Sequence, residues 1–147
     1  MLSLVKGNVE VDAPAARAIA LAMREVARAD GEHPREEELI DSFEEGLEGD
    51  AAPLSDIVDP GVQEVFLKSL IIVAFADGTV SDEESAVIRK YADHFGLGDP
   101  EISRCLADVA SAMLSQLAGV QVFREQVVEL GRGLGLDEFA IRAALDS

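Results

Sequence analysis

Ala76-Asp77-Gly78-Thr79-Val80-Ser81-Asp82-Glu83-Glu84 has an earlier counterpart in Ala29-Asp30-Gly31-Glu32-His33-Pro34-Arg35-Glu36-Glu37-Glu38. Each phrase follows one apolar stretch of helical spacing and opens another. Glycine accepts the left-handed backbone that ends a helix. Ser or Pro followed by acidic residues is how a helix begins. A helix–Asp-Gly–acidic-helix unit used twice predicts a duplicated helical hairpin with paired carboxylates at its two elbows.

The flanking sequence supplies the rest of the helices. Asp12 caps the first, with Pro14 in its first turn, where a missing N–H costs nothing; Ile19, Met23, Val26 and Ala27 form one apolar face and Gly31 ends it. Pro34 opens the second, with Leu39, Ile40, Phe43 and Leu47 as its stripe. Residues 46–60 carry Gly46, Gly49, Pro53 and Pro60 and read as an irregular connection with one short helical turn at Ser55–Val58. Pro60 starts a third helix through Phe66, Leu70, Ile71, Val73 and Ala74, apolar on most sides and therefore central. Ser81 and Glu84 form a capping box for the fourth, which buries Val87, Ile88, Tyr91 and Phe95 and ends at Gly96 or Gly98. Asp99-Pro100 repeats the cap-plus-proline start of a long fifth helix marked by Ile102, Leu106, Val109, Met113 and Leu117. After Gly119, a sixth helix carries Val122, Phe123, Val127, Val128 and Leu130 until Gly131, Gly133 and Gly135 break it. Asp137 starts a short last one with Phe139, Ile141 and Leu145. No stretch shows sustained strand alternation, so the expected fold is all-α: a single domain of about seven mostly antiparallel helices. Residues 1–12 form an N-terminal lead-in and residues 13–147 the helical domain.

Composition bounds the function. The 147 residues suffice for one domain with a sizeable core. With 29 acidic against 12 basic residues the net charge is −17. Such a chain repels phosphates and anionic membranes, which speaks against nucleic-acid or membrane binding; it suits cations, basic partners or solubility. The single cysteine, Cys105, excludes an intramolecular disulfide and a zinc–thiolate cluster. Met1–Lys6 is too short for a signal peptide, and Val65–Ala76, interrupted by Lys68, is too short to span a membrane. A cytoplasmic location is expected.

The duplication extends beyond the elbows. Ile19, Met23, Val26 and Ala27 align with Phe66, Leu70, Val73 and Ala74, and Asp30-Gly31 then falls on Asp77-Gly78. Past the glycine the first copy is one residue shorter, and Leu39, Ile40, Phe43 and Leu47 align with Val87, Ile88, Tyr91 and Phe95. On that register Glu36 corresponds to Glu84. A degenerate third copy runs from Val122-Phe123 to Leu136-Asp137-Glu138, with Leu134-Gly135 in place of Asp-Gly.

The Ala-Asp-Gly-Thr-Val-Ser-Asp-Glu-Glu phrase at 76–84 and its copy at 29–38 resemble the TerB-like family, small helical proteins and domains associated with tellurite resistance. The resemblance covers the chain from about residue 13 to the end. It implies an all-helical domain of roughly seven helices whose two acidic elbows lie together and bind a metal. The first elbow departs from the pattern, because the hydrophobic residue expected between Glu32 and His33 is missing. That leaves open whether Glu36 or Glu37 is the partner of Glu84.

Taken by themselves, the elbow carboxylates admit three readings. Asp77, Gly78, Val80 and Glu84 take the fifth, sixth, eighth and twelfth places of a calcium-binding loop, but the first and third fall on Val73 and Phe75, and in the first copy on Val26 and Arg28. A self-contained EF-hand is thereby rejected, and a metal site must pool Asp30, Asp77, Glu84 and Glu36 or Glu37. Oxygen ligands of this kind suit calcium, magnesium or manganese. Alternatively Glu84 and Asp77 only cap turns, in an acidic interaction scaffold. A carboxylate-dependent metal enzyme is the weaker class, since no phosphate loop, nucleophile elbow or zinc-hydrolase motif is present. The run Glu36–Glu38, Asp41, Glu44, Glu45 and Glu48 is a solvated face or a docking surface for a basic protein partner. His33 and His94 have no partner at ligand spacing, and Cys105 reads as a buried, inert thiol. The function expected is that of an accessory protein of the tellurite-resistance or stress type, acting by binding rather than turnover.

Overall fold

The computed structural model describes residues 11–29, 34–44, 49–75, 81–114 and 120–146, without the side chains at 34–36, 39, 113, 114, 120–124, 144 and 146. The described residues form seven helices and no strand: α1 (Ala13–Arg28), α2 (Pro34–Glu44), α3 (Pro60–Phe75), α4 (Asp82–His94), α5 (Asp99–Leu114), α6 (Val120–Gly133) and α7 (Glu138–Asp146). One 3-10 turn, Leu54–Asp56, interrupts the connection between α2 and α3, one residue ahead of the turn expected there. The lead-in up to residue 10, the elbows 30–33 and 76–80, and Leu47, Leu117 and Gly119 lie outside the described residues.

Helix starts follow the sequence signals. The Ala15 N–H donates to Asp12 Oδ1 at 2.9 Å, and the Ala140 N–H to Asp137 Oδ1 at 2.8 Å. At α4, Ser81 and Glu84 exchange the two bonds of a capping box. The start of α5 differs from expectation. The Ile102 N–H bonds to the Gly98 carbonyl, and Glu101 reaches back to the Gly98 N–H at 2.9 Å. Gly98 is therefore the cap, a role glycine fills nearly as well as Asp. Asp99 lies inside the first turn and receives Arg89 at 3.0 Å.

Helix stops need one correction. Gly96 and Gly135 adopt φ of 72° and 85°. Leu97 bonds back to the Ala92 carbonyl and Leu136 to that of Gly131, so both helix ends close with a left-handed residue followed by an apolar one. Gly131 and Gly133, expected to break α6, lie within it instead. They are small because neighbours crowd them: a β-carbon on Gly131 would lie 2.6 Å from Ile141 Cγ1.

The duplication is a packing fact. α1 lies against α3, α2 packs on α1 and α4 on α3, and α1–α4 and α2–α3 contacts close the group. Ile19, Met23, Val26, Ala27 and their equivalents Phe66, Leu70, Val73, Ala74 are all fully buried, as are Ile40 and Ile88. Each large aliphatic chain so buried contributes about 1.5–3 kcal/mol. The Phe66 ring meets Tyr91 and Phe95 of α4, with centroids 5.3 and 5.0 Å away. α3 is central: it buries every residue from Val65 to Phe75 except Lys68, which pairs with Asp108 at 2.9 Å. α5 covers the other side of α3, α6 and α7 pack on α5, and α6 returns to α4. On α7, Ile141 is buried but Phe139 is 84% exposed. Two residues apart on a helix they face nearly opposite sides, so Phe139 cannot share the stripe of Ile141 and Leu145. No described helix is long and apolar enough to cross a membrane.

Candidate functional site

The second elbow leads into the head of α4, where Glu84 is the third helical residue and is 1% exposed. Its Oε1 accepts the Ser81 N–H at 3.0 Å and the Ser81 hydroxyl at 3.2 Å, while Ser81 Oγ accepts the Glu84 N–H at 3.0 Å. Val73 and Phe75, which an EF-hand would need as ligands, are buried in the core.

The first elbow leads into α2, which opens at Pro34. Glu36 is thus the third residue of α2, as Glu84 is of α4. Asp30, Asp77 and the Glu36 side chain lie outside the described residues. Glu37 points elsewhere: it receives Arg24 at 2.7 Å and Arg28 at 3.1 Å.

Those contacts belong to a row that sequence reading missed. Arg17, Arg24 and Arg28 fall on one face of α1, and Glu37, Asp41 and Glu44 of α2 meet it. Arg17 binds Glu44 at 2.8 Å; Arg24 binds Asp41 at 2.9 Å and also Glu44. A hydrogen bond that Arg24 donates to Asp41, with further help from Glu44 and Glu37, raises the Arg24 pKa against the opposing effect of burial. Spacings of seven and four residues between the arginines are the signal that could have shown the row. Part of the acidic run therefore serves the α1–α2 interface, since the Glu44 side chain keeps only 17% of its exposure. Glu38 is exposed, and Glu45 and Glu48 lie outside the described residues.

A second polar link joins α1 to α4. The Tyr91 hydroxyl donates to Glu25 at 2.6 Å, and Lys90 pairs with the same carboxylate. Burial works to raise the Glu25 pKa, but the bonds from Lys90 and Tyr91 and the Lys90 charge outweigh it and hold it below its ordinary value. Burial, then the Glu25 bond and charge, push the Tyr91 phenol up. Cys105 is fully buried, and burial with the Glu64 charge pushes its thiol up to about 12. A thiol so placed stays protonated and inert. His94 is exposed, edge-on to Phe95 at 5.5 Å; His33 lies outside the described residues.

Among the described residues, no group of three or more His, Cys, Asp or Glu side chains is arranged to hold a metal ion; a site pooled from both elbows draws on residues beyond them. The family model described as tellurite resistance protein TerB matches residues 44–107, from the end of α2 through the second elbow into α5. No curated protein and no solved structure matches the chain. The matched stretch contains Asp77 and Glu84 and stops short of Asp30 and Glu36. Over residues 44–107 the chain is similar to the TerB family of tellurite resistance proteins.

Proposed function

We propose that the protein is a cytoplasmic accessory protein of tellurite resistance or stress response, acting by binding one hard divalent cation through Asp30, Glu36, Asp77 and Glu84. The observation that supports this reading is a glutamate at the third position of both post-elbow helices, of which Glu84 is held buried at the head of α4. Glu37 is committed to Arg24 and Arg28, which favours Glu36 as the first-elbow ligand. Carboxylates pooled at one place repel one another, and a calcium, magnesium or manganese ion between them offsets that repulsion.

Thermal melting with each of the three metals tests the reading. A ligand at a hundredfold excess over its Kd stabilises by about 2.7 kcal/mol. Asp77→Asn is expected to abolish the metal-dependent rise in Tm while leaving the apo fold intact. Equal rises in wild type and variant would reduce the effect to screening of the −17 charge.

The Ser81–Glu84 capping box favours a second reading, in which the elbow carboxylates are structural parts of an acidic interaction scaffold. Under it, Glu84→Gln lowers Tm by the same amount with and without metal.

A further inference from the structure

Away from the elbows, a cavity of about 410 Å³ opens between the start of α1, the connection 52–59 and the start of α3. Its apolar wall is Pro14, Ala15, Ile57 and Val62, and Asp12, Asp56 and Asp59 supply the charge. The walls are pinned. The Ala52 N–H bonds to the Pro14 carbonyl at 2.8 Å, Gln63 donates to the Ile57 carbonyl at 3.0 Å, and the Gly61 N–H donates to Asp59 Oδ1 at 2.8 Å. Val58, also in the lining, is 74% exposed.

Among the described residues the charge here is unanswered. On α2 the carboxylates of Glu37, Asp41 and Glu44 already have the α1 arginines. Among the described residues, no lysine or arginine lines this cavity or pairs with its three aspartates. Asp12 and Asp59 cap helices with one oxygen, which leaves their charge in place. An apolar wall beside three aspartates complements a side chain with an apolar stem and a cationic head.

We propose that this cavity docks a basic segment of a protein partner. A lysine or arginine stem lies along Ile57 and Val62 and its cation meets Asp56 and Asp59, while an adjoining apolar residue covers Val58. The proposal is independent of the elbow cation.

The test is an NMR titration of the full chain with a short blocked peptide in which two lysines flank a leucine. Amide shifts are expected to concentrate at Ala52, Ile57, Val58 and Val62. Asp56→Asn with Asp59→Asn keeps the α3 cap and removes two charges. It is expected to weaken binding about fivefold to tenfold, the scale of two exposed ion pairs. Glu125→Gln with Glu129→Gln removes the same charge from exposed α6 positions and is expected to change binding less than twofold. Equal weakening by both pairs would reduce the effect to net charge and overturn the proposal. So would absence of binding, shifts spread over other acidic surfaces, or shifts at these amides that follow protein concentration without peptide, which would assign the cavity to a second copy of the chain.

Discussion

Gly133 and Ser85 bring α6 and α4 into closer contact than any side chain on Gly133 would permit: an added β-carbon would lie 2.3 Å from the Ser85 hydroxyl oxygen and 2.5 Å from its β-carbon. Gly133→Ala gains about 1 kcal/mol of helix propensity but overpacks the contact by about 1–3 kcal/mol. The Ser85 hydroxyl can rotate, but its β-carbon is fixed to the backbone and cannot swing away. Net destabilisation is expected in denaturant melts, with part of it recovered when Ser85→Gly is added. Additive losses in the double variant would show that the two residues do not meet.

Leu70 lies at the centre of the duplicated pair and is fully buried. Leu70→Ala is expected to cost about 2–5 kcal/mol. The same truncation at exposed Leu21, 56% accessible on α1, is expected to change stability by no more than about 0.5 kcal/mol. Similar losses at the two sites would contradict the central position of α3.

Arg24 holds three carboxylates of α2 and its side chain is 24% exposed, whereas Arg28 holds one and is 56% exposed. Arg24→Met leaves Glu37 with Arg28 alone, Glu44 with Arg17 alone and Asp41 to solvent, and a loss of about 1–3 kcal/mol is expected. Arg28→Met is expected to cost about 0–1 kcal/mol, shrinking with salt. The reverse order in urea melts would displace Arg24 from the centre of the row.

The Glu25–Tyr91 bond gives stability two pH limits of opposite sign. The Glu25 carboxyl is held below its ordinary 4.5. Its contribution is fully present above that value and is lost as pH falls through the lower folded value. The Tyr91 phenol is held above its ordinary 10.0. Its contribution is present below that value and is lost as pH rises through the folded one. Chemical denaturation across pH is expected to show a shallower acid limb for Glu25→Gln and a shallower alkaline limb for Tyr91→Phe. Limbs identical to the wild type would mean that the bond does not form in solution.

Local signals reached the helices but not the contacts between them. Asp12, Ser81 and Asp137 were legible as caps because a cap is made with backbone only three residues away. The stripes of α1 and α3 were legible because apolar periodicity reports the buried face directly. Gly131 and Gly133 were misread, since a glycine that ends a helix and one that admits a neighbour look alike in sequence. Phe139 and Ile141 were both legible as residues of the last helix, and their spacing of two puts them on opposite sides, with Ile141 buried and Phe139 exposed.

By itself, then, the sequence determined the all-α class, the duplicated hairpin, the positions of most helix ends and the resemblance to TerB. Each of these depends on residues within a few turns of one another or on a phrase that repeats. Only the tertiary structure decided that the α2 carboxylates answer the arginines of α1, that Glu25 reaches Tyr91, and that Asp12, Asp56 and Asp59 share one cavity. Those residues are brought together by the packing of helices far apart in the chain, and charge at a site depends on neighbours that no local pattern specifies.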